Sequence, residues 1–358
     1  MRAVILSHLY LDPDRRGKLR ALAGRGVSLT VAVPGGAGTE DAGVRLASIP
    51  AKGNPDDPAC EWNRKAIRAL LADRRPDLVQ IEAEPWSLLA LSASLEAGRL
   101  EVPVVFCCQD PRRPDGFFAR RRARRALRGV RGAIAGNALA VEQLRNALPG
   151  IPVIELPQFG VSLPPVVERP PREVLSLGYI GRLLPDRGVD RLLRACATMI
   201  GAWSLTIAGT GPEQENLELL AQRLGLASRV RWLGGVTGAE VEALWEHLEV
   251  LVLPAHPAAD GAEHWSAILV EAMARGVVPV VMEGGIPASI VGEAGKQARD
   301  DEALEVILQT LRAFPADRPR LGAAARQRVL DHFVDAALAT STLTFWERIL
   351  SGGPSPAP

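Results

Sequence analysis

Short runs of β-branched and aliphatic residues alternate with longer amphipathic stretches from one end of the chain to the other, and few folds accommodate that order. In the first half the candidate strands are 3–6, 28–33, 78–82, 102–107, 132–135 and 153–156, with candidate helices at 16–23, 61–73, 87–97, 117–130 and 138–147. Runs such as AVIL and VPVVFCC carry no polar alternation. Strands of that kind need cover on both faces, which a parallel sheet between two helix layers supplies. After Pro157 the segment QFGVSLPPVVERPPRE is proline-rich, charged and without a period, as a linker is. The alternation restarts with strands expected at 174–179, 204–208, 230–233, 250–253 and 278–282. Helices are expected at 189–200, 212–224, 237–245, 267–275, 286–291, 301–314 and 318–332, then a final stretch at 334–350. The fold class expected is α/β: two Rossmann-like, doubly wound parallel-sheet domains facing a central cleft. The boundaries expected are 1–165, 166–333, a returning C-terminal helix at 334–351, and a frayed tail at 352–358.

A chain of 358 residues can hold two such cores. Lysine and arginine total 42 against 41 acidic residues, so net charge gives no general pull towards nucleic acid or anionic membranes. No apolar run reaches the length of a membrane span, and MRAVILSHLYLDPDRR lacks the small-residue cleavage site of a signal peptide. The four cysteines form no CxxC pair and the five histidines no HExxH, so no metal site is expected. A reducing, cytoplasmic setting follows as the economical expectation.

In parallel sheets, ligands bind beyond the carboxyl ends of the strands, so post-strand loops come first. GYIGRLLPDRG puts Arg182 and Arg187 in one glycine-bounded loop, where two guanidinium groups beside backbone amides suit a diphosphate; solvated surface arginines are the plain alternative. AGTGPE offers Gly209 and Gly211 for close approach of a ligand, or simply a tight turn. EHWSAILVE places Glu263 before a helix and Glu271 one turn inside it; a carboxylate in so apolar a helix start needs hydroxyl partners. EGGIP is a fourth glycine-bearing loop.

Taken in order, GRLLPDRG, LTIAGTGPE, RVRWLGGV, VLVLPA, EHWSAILVEAMARG and GGIP resemble the retaining GT-B glycosyltransferases of family 4. The resemblance implies a glycosyltransferase in which Arg182 binds the donor diphosphate, with Arg187 where the family usually has lysine. It implies that Glu263 faces the donor sugar together with Trp265, Ser266 and Ala267. Glu271 would accept hydrogen bonds from the ribose, the amides of Ile268 and Leu269 would contact phosphate, and Arg231, Trp232 and Leu233 would lie near the base. The donor expected is a nucleotide sugar, a UDP-sugar first, bound as substrate with no cofactor and no metal. A saccharide, lipid or small-molecule hydroxyl is the acceptor.

The chain also departs from the family. Its first loop, LYLDPDRRGK, has only Gly17 where the family often has a glycine pair, leaving Arg16 or Lys18 as substitutes. Gln109 or Asp110 stands where many members have a histidine touching the donor sugar. Glu82 and Glu84, after the strand at 78–82, are candidates for acceptor contact, with solvated glutamates as the alternative. From Phe118 to Arg131 the sequence FARRRARRALRGVR is a basic amphipathic helix. It either packs on the sheet with its arginines in water or makes weak peripheral membrane contact; nucleic acid is not expected, as no aromatics interleave. The rival readings are a GT-B nucleotide-sugar epimerase and a catalytically weak nucleotide-sugar-binding subunit.

Overall fold

A computed structural model of the chain describes residues 1–35, 38–55, 57, 60–108, 116–161, 163–165, 170, 172–256 and 266–352. The residues divide into two compact units, Met1–Gly160 with Phe333–Pro358, and Val161–His332.

The first unit is built on β1 (Arg2–Leu6), β2 (Ser28–Pro34), β3 (Thr39–Asp41), β4 (Val44–Ile49), β5 (Ala51–Lys52), β6 (Glu61–Trp62), β7 (Leu78–Glu82), β8 (Val104–Cys108), β9 (Val130–Ala135) and β10 (Val153–Glu155). Eight of these form one sheet in the order β10-β9-β8-β7-β1-β2-β4-β3, parallel except for β3 against β4, while β5 and β6 make a small antiparallel ribbon. Along β1, Val4 and Leu6 enter one core while Ala3 and Ile5 enter the other. Both faces of the strand are therefore buried, which is why its sequence does not alternate. One face is covered by α2 (Arg64–Arg74), α3 (Leu88–Arg99), α4 (Phe117–Ala126) and α5 (Ala138–Ala147), the other by α1 (Gly17–Gly24) and a helix from the chain's end. Side-chain caps start three of them: Asn63, Ser87 and Asn137 accept from the amides of Ala66, Ala90 and Ala140.

The second unit has six parallel strands in the order β13-β12-β11-β14-β15-β16. They are β11 (Leu175–Ile180), β12 (Trp203–Ala208), β13 (Val230–Gly234), β14 (Val250–Leu253), β15 (Val278–Met282) and β16 (Lys296–Ala298). Its helices are α6 (Val189–Ala197), α7 (Gln214–Arg223), α8 (Gly238–Trp245), α9 (Ala267–Ala274), α10 (Gly285–Val291), α11 (Asp301–Ala313) and α12 (Asp317–His332). At the amino end of this sheet Arg318 Nη1 donates to Glu249 at 2.7 Å, and Glu249 in turn accepts from the amide of Ser176 at 3.2 Å.

The last helix, α13 (Asp335–Leu350), packs on α1 and contributes Leu338, Ala339, Phe345 and Trp346 to the first unit's core. Trp346 Nε1 donates to Gln80 Oε1 at 2.9 Å. The sequence expectation misses β3 to β6 and β16, which are two to six residues long. It also extends a helix back to Glu61, where the chain instead forms β6 before Asn63 caps α2. The expected linker loses its first three residues, Gln158 to Gly160, to the first unit. Gln158 is buried there, and Phe159 stacks edge-on against Tyr10 at 6.0 Å.

Candidate active site

In the second unit the chain steps outward from β11 through β12 to β13, then crosses to the other side of β11 at β14. The carboxyl ends of β11 and β14 flank this reversal, where an open parallel sheet leaves a crevice for a ligand. The loops leaving those ends are laced together. Gly181 N–H donates to the Ala208 carbonyl at 2.9 Å, Leu183 N–H to Thr210 at 3.0 Å, and Gly209 N–H to Gly234 at 2.6 Å. Across the reversal, His256 N–H donates to the Asp186 carbonyl at 2.9 Å, and its Nε2 lies 3.2 Å from Asp190 Oδ1.

Glycines make this spacing possible. A Cβ on Gly209 would stand 1.8 Å from the carbonyl oxygen of Gly181, one on Gly211 2.1 Å from that of Leu183. Gly209 and Gly211, expected to let a ligand approach, let the neighbouring loop approach. Gly188 has φ +67° and meets the loop after β14 in the same way.

Arg182 and Arg187 are both exposed on this braced loop. The Arg182 carbonyl accepts from the Tyr179 hydroxyl at 2.8 Å, which fixes the backbone, while its guanidinium has no ion-pair partner among the described residues. Arg187 Nε lies 3.6 Å from the carboxylate of Asp186. The loop is braced by these bonds, and both of its arginine side chains are exposed.

α9 follows the β14 loop and carries Glu271, half-buried. Burial raises the pKa of this carboxyl, helped by the charge of Glu242 and opposed by Arg275. Arg275 does not relieve it directly. Its Nη1 donates to the Glu271 backbone carbonyl at 3.0 Å, while its other donors pair with Glu242 and its plane lies 5.8 Å from the Trp245 ring centre. Among the described residues no donor reaches the Glu271 carboxylate, so hydroxyl groups of a ligand would satisfy it.

At the start of α9, Ser266 and Ile268 are half-buried and Ala267 is exposed. The amide of Leu269, expected to contact phosphate, donates to the Ser266 carbonyl at 3.2 Å, and its side chain is buried. On the edge strand β13, Arg231 is exposed and Trp232 leans on the core. A register shift puts Ala208 opposite Gly234 and leaves Leu233 unpaired in the ladder. Glu263, Trp265, Gln109 and Asp110 lie outside the described residues.

The first unit has its own reversal, between β1 and β7. Beyond those carboxyl ends lies a cavity of about 590 Å³ whose walls include His8, Glu82, Glu84, Trp86, Leu89 and Arg122. Glu82 is buried at its edge rather than solvated. Its Oε1 accepts from Gln80 at 2.7 Å and Tyr10 at 3.1 Å, its Oε2 from Gln158 at 2.9 Å, and Lys18 Nζ stands 3.8 Å away. Burial and the charge of Glu82 raise the Tyr10 pKa well above its ordinary value. Sequence reasoning missed Tyr10, Gln80 and Gln158, because the partners of Glu82 come from segments as far as 76 residues away.

Arg16 donates from Nε to the Tyr10 carbonyl at 2.9 Å, from Nη2 to the Leu11 carbonyl at 3.0 Å and from Nη1 to Asp41 at 3.4 Å, so three of its N–H groups help hold the first loop. A Cβ at Gly17 would lie 1.8 Å from the carboxylate of Asp335 on α13, so the helix occupies the space beside that glycine. Among the described residues no three His, Cys, Asp or Glu side chains gather into a metal-binding group.

Comparison with known proteins agrees with this architecture. The model for Glycosyl transferase 4-like domain matches residues 16–157, and that for Glycosyl transferases group 1 matches residues 167–328. A glycogen synthase of Mycobacterium tuberculosis is 28% identical over 220 residues, 59% of this chain and 52% of that protein. A GDP-mannose-dependent alpha-(1-6)-phosphatidylinositol monomannoside mannosyltransferase of Mycolicibacterium smegmatis is 30% identical over 164 residues, 43% of each chain. The chain thus spans about half the length of the curated relatives it matches. The structure of a sucrose-phosphate synthase from Thermosynechococcus elongatus superposes with a TM-score of 0.63 at 17% identity, covering 99% of this chain and 100% of the other. That of Anabaena HepE in complex with UDP gives 0.62 at 16%, covering 97% and 100%. With both sheets accounted for and both units matched by family models, the chain belongs to the GT-B glycosyltransferases.

Proposed function

We propose that the protein is a retaining glycosyltransferase that moves a sugar from a nucleotide sugar to an acceptor hydroxyl. The observation that carries this reading is the placement at the β11–β14 reversal: the braced loop after β11 carries the exposed Arg182 and Arg187, and α9, after β14, carries a half-buried carboxylate at Glu271 whose pKa burial raises. The arginines take the diphosphate and Glu271 takes the ribose hydroxyls. The family resemblance assigns the donor-sugar contact to Glu263 and Trp265. As the sugar–phosphate bond breaks, negative charge grows on the leaving diphosphate, and fixed cations stabilise it more than they stabilise the bound donor. The acceptor hydroxyl attacks from the leaving group's own face and gives its proton to the departing phosphate. Two arginines supply the charge, so turnover should persist in EDTA.

The donor is taken to be a UDP-sugar, in keeping with the HepE structure in complex with UDP. GDP-mannose is the second reading, favoured by the mannosyltransferase that is 30% identical. A thermal-shift series with UDP, GDP, ADP and dTDP separates them, because a ligand that binds only the folded state raises its melting temperature. Transfer assays with the stabilising nucleotide's sugars then test the activity. Epimerised donor in the absence of acceptor, or binding without transfer or donor hydrolysis, would replace this reading with one of its rivals.

A further inference from the structure

Between residues 116 and 141 the sequence contains seven arginines and no acidic residue. α4 sorts this stretch sharply. Ala119, Arg122, Ala123 and Leu127 are partly covered and Ala126 is fully buried, so the small-residue side lies against α3 and the core. The opposite arc carries Arg121, Arg124, Arg125 and Arg128, all exposed, and Arg131 is exposed just beyond it. Among the described residues none of these five arginines has an ion-pair partner.

The same arc begins with Phe117 and Phe118, 71% and 82% exposed, packed edge-to-face on each other at 5.7 Å. Two large aromatic side chains in water, next to cations without ion-pair partners on one helix face, form an amphipathic surface with no partner among the described residues. The sequence alone suggests an apolar side that is mostly alanine and lacks large anchors; the structure adds the aromatic pair to the charged side instead.

We infer that α4 docks the protein on an anionic lipid surface. The arginines meet lipid phosphates, and Phe117 and Phe118 enter the boundary between headgroups and acyl chains. Charge complementarity selects an anionic partner. The paired rings, which cover each other at one end of the helix, favour a lipid interface over single-stranded nucleic acid, whose binding sites spread aromatics along the groove for successive bases. No described helix is long and apolar enough to cross a membrane, so the contact is peripheral. Arg122, on the covered side of the same helix, lines the 590 Å³ cavity, so the docking helix also forms part of that cavity's wall.

Co-sedimentation of the full chain with phosphatidylcholine vesicles, with and without phosphatidylglycerol, tests the inference. Binding is expected only with phosphatidylglycerol and should weaken as salt rises. Each exposed arginine replaced by serine among positions 121, 124, 125 and 128 should weaken partitioning about fivefold. Phe117→Ser with Phe118→Ser keeps every charge and should still abolish sedimentation, with an unchanged melting temperature. Equal binding to both vesicle types, binding that survives the double phenylalanine substitution, or preferential capture by single-stranded RNA overturns it.

Discussion

A Cβ added to Gly188 would stand 1.9 Å from the carbonyl oxygen of Pro254, so the loops that leave β11 and β14 touch backbone to backbone. That contact turns two flexible connections into one platform for Arg182 and Arg187. Gly188→Ala must push the loops apart and also strain a left-handed backbone. It should destabilise the second unit by about 1–3 kcal/mol and raise the KM for donor, measured by thermal melts and initial rates.

Arg182→Ala should lower kcat roughly 100- to 1,000-fold while leaving the melting temperature of the free protein unchanged, because among the described residues its guanidinium has no ion-pair partner. Arg187→Lys should retain most activity and Arg187→Ala little, since a point charge can replace the planar group at a diphosphate more readily than no charge can. Steady-state kinetics on purified variants checks both. An Arg182→Ala enzyme with wild-type kcat would remove the diphosphate assignment.

Glu271 yields opposite signs for stability and binding. Its pKa is raised in the folded state, so the charged form opposes folding, and that penalty grows as pH rises through the folded value. Glu271→Gln should therefore melt higher than wild type at neutral pH and no differently well below pH ~4, the ordinary carboxylate range. The same variant should lose most of the thermal shift induced by nucleotide. A melt series over pH, with and without nucleotide, reads both effects.

Glu96 runs the other way. Its carboxylate is buried, which alone would raise its pKa, but Arg68, Arg64 and Arg99 outweigh burial and hold it at about 2. Its contribution is complete above the ordinary carboxylate range and is lost as pH falls towards 2. Glu96→Gln should melt lower than wild type at pH 7, with the gap closing in acid, and should leave donor kinetics untouched.

Most of the central strands were legible because buried parallel strands announce themselves: VVFCC and VPVVM have no polar residue to place, and the structure finds β8 and β15 there. The edges were not. β4 reads VRLASI, half alternating because one side faces outward, and β3, β5, β6 and β16 are too short for any period to show. In the second unit, Arg182, Arg187 and Gly188 share one loop and could be read as a local motif, but the close approaches of Gly209, Gly211 and Pro254 to that loop could not. The network around Glu82 could not, since Tyr10, Lys18 and Gln158 are gathered only when distant strands pair. Leu269 shows a different limit. Sequence places its amide at a helix start, but only coordinates reveal that the first turn has already used it.

The bond from Trp346 to Gln80 ties almost the last turn of the polypeptide into its first sheet. During synthesis the amino-terminal half therefore leaves the ribosome with Leu19, Leu22 and Ile134 still wet on one side, and waits through the whole of the other half for its cover. Truncation before Phe345 should consequently injure the lobe farthest away in sequence, and a chaperone's opportunity lies in that interval.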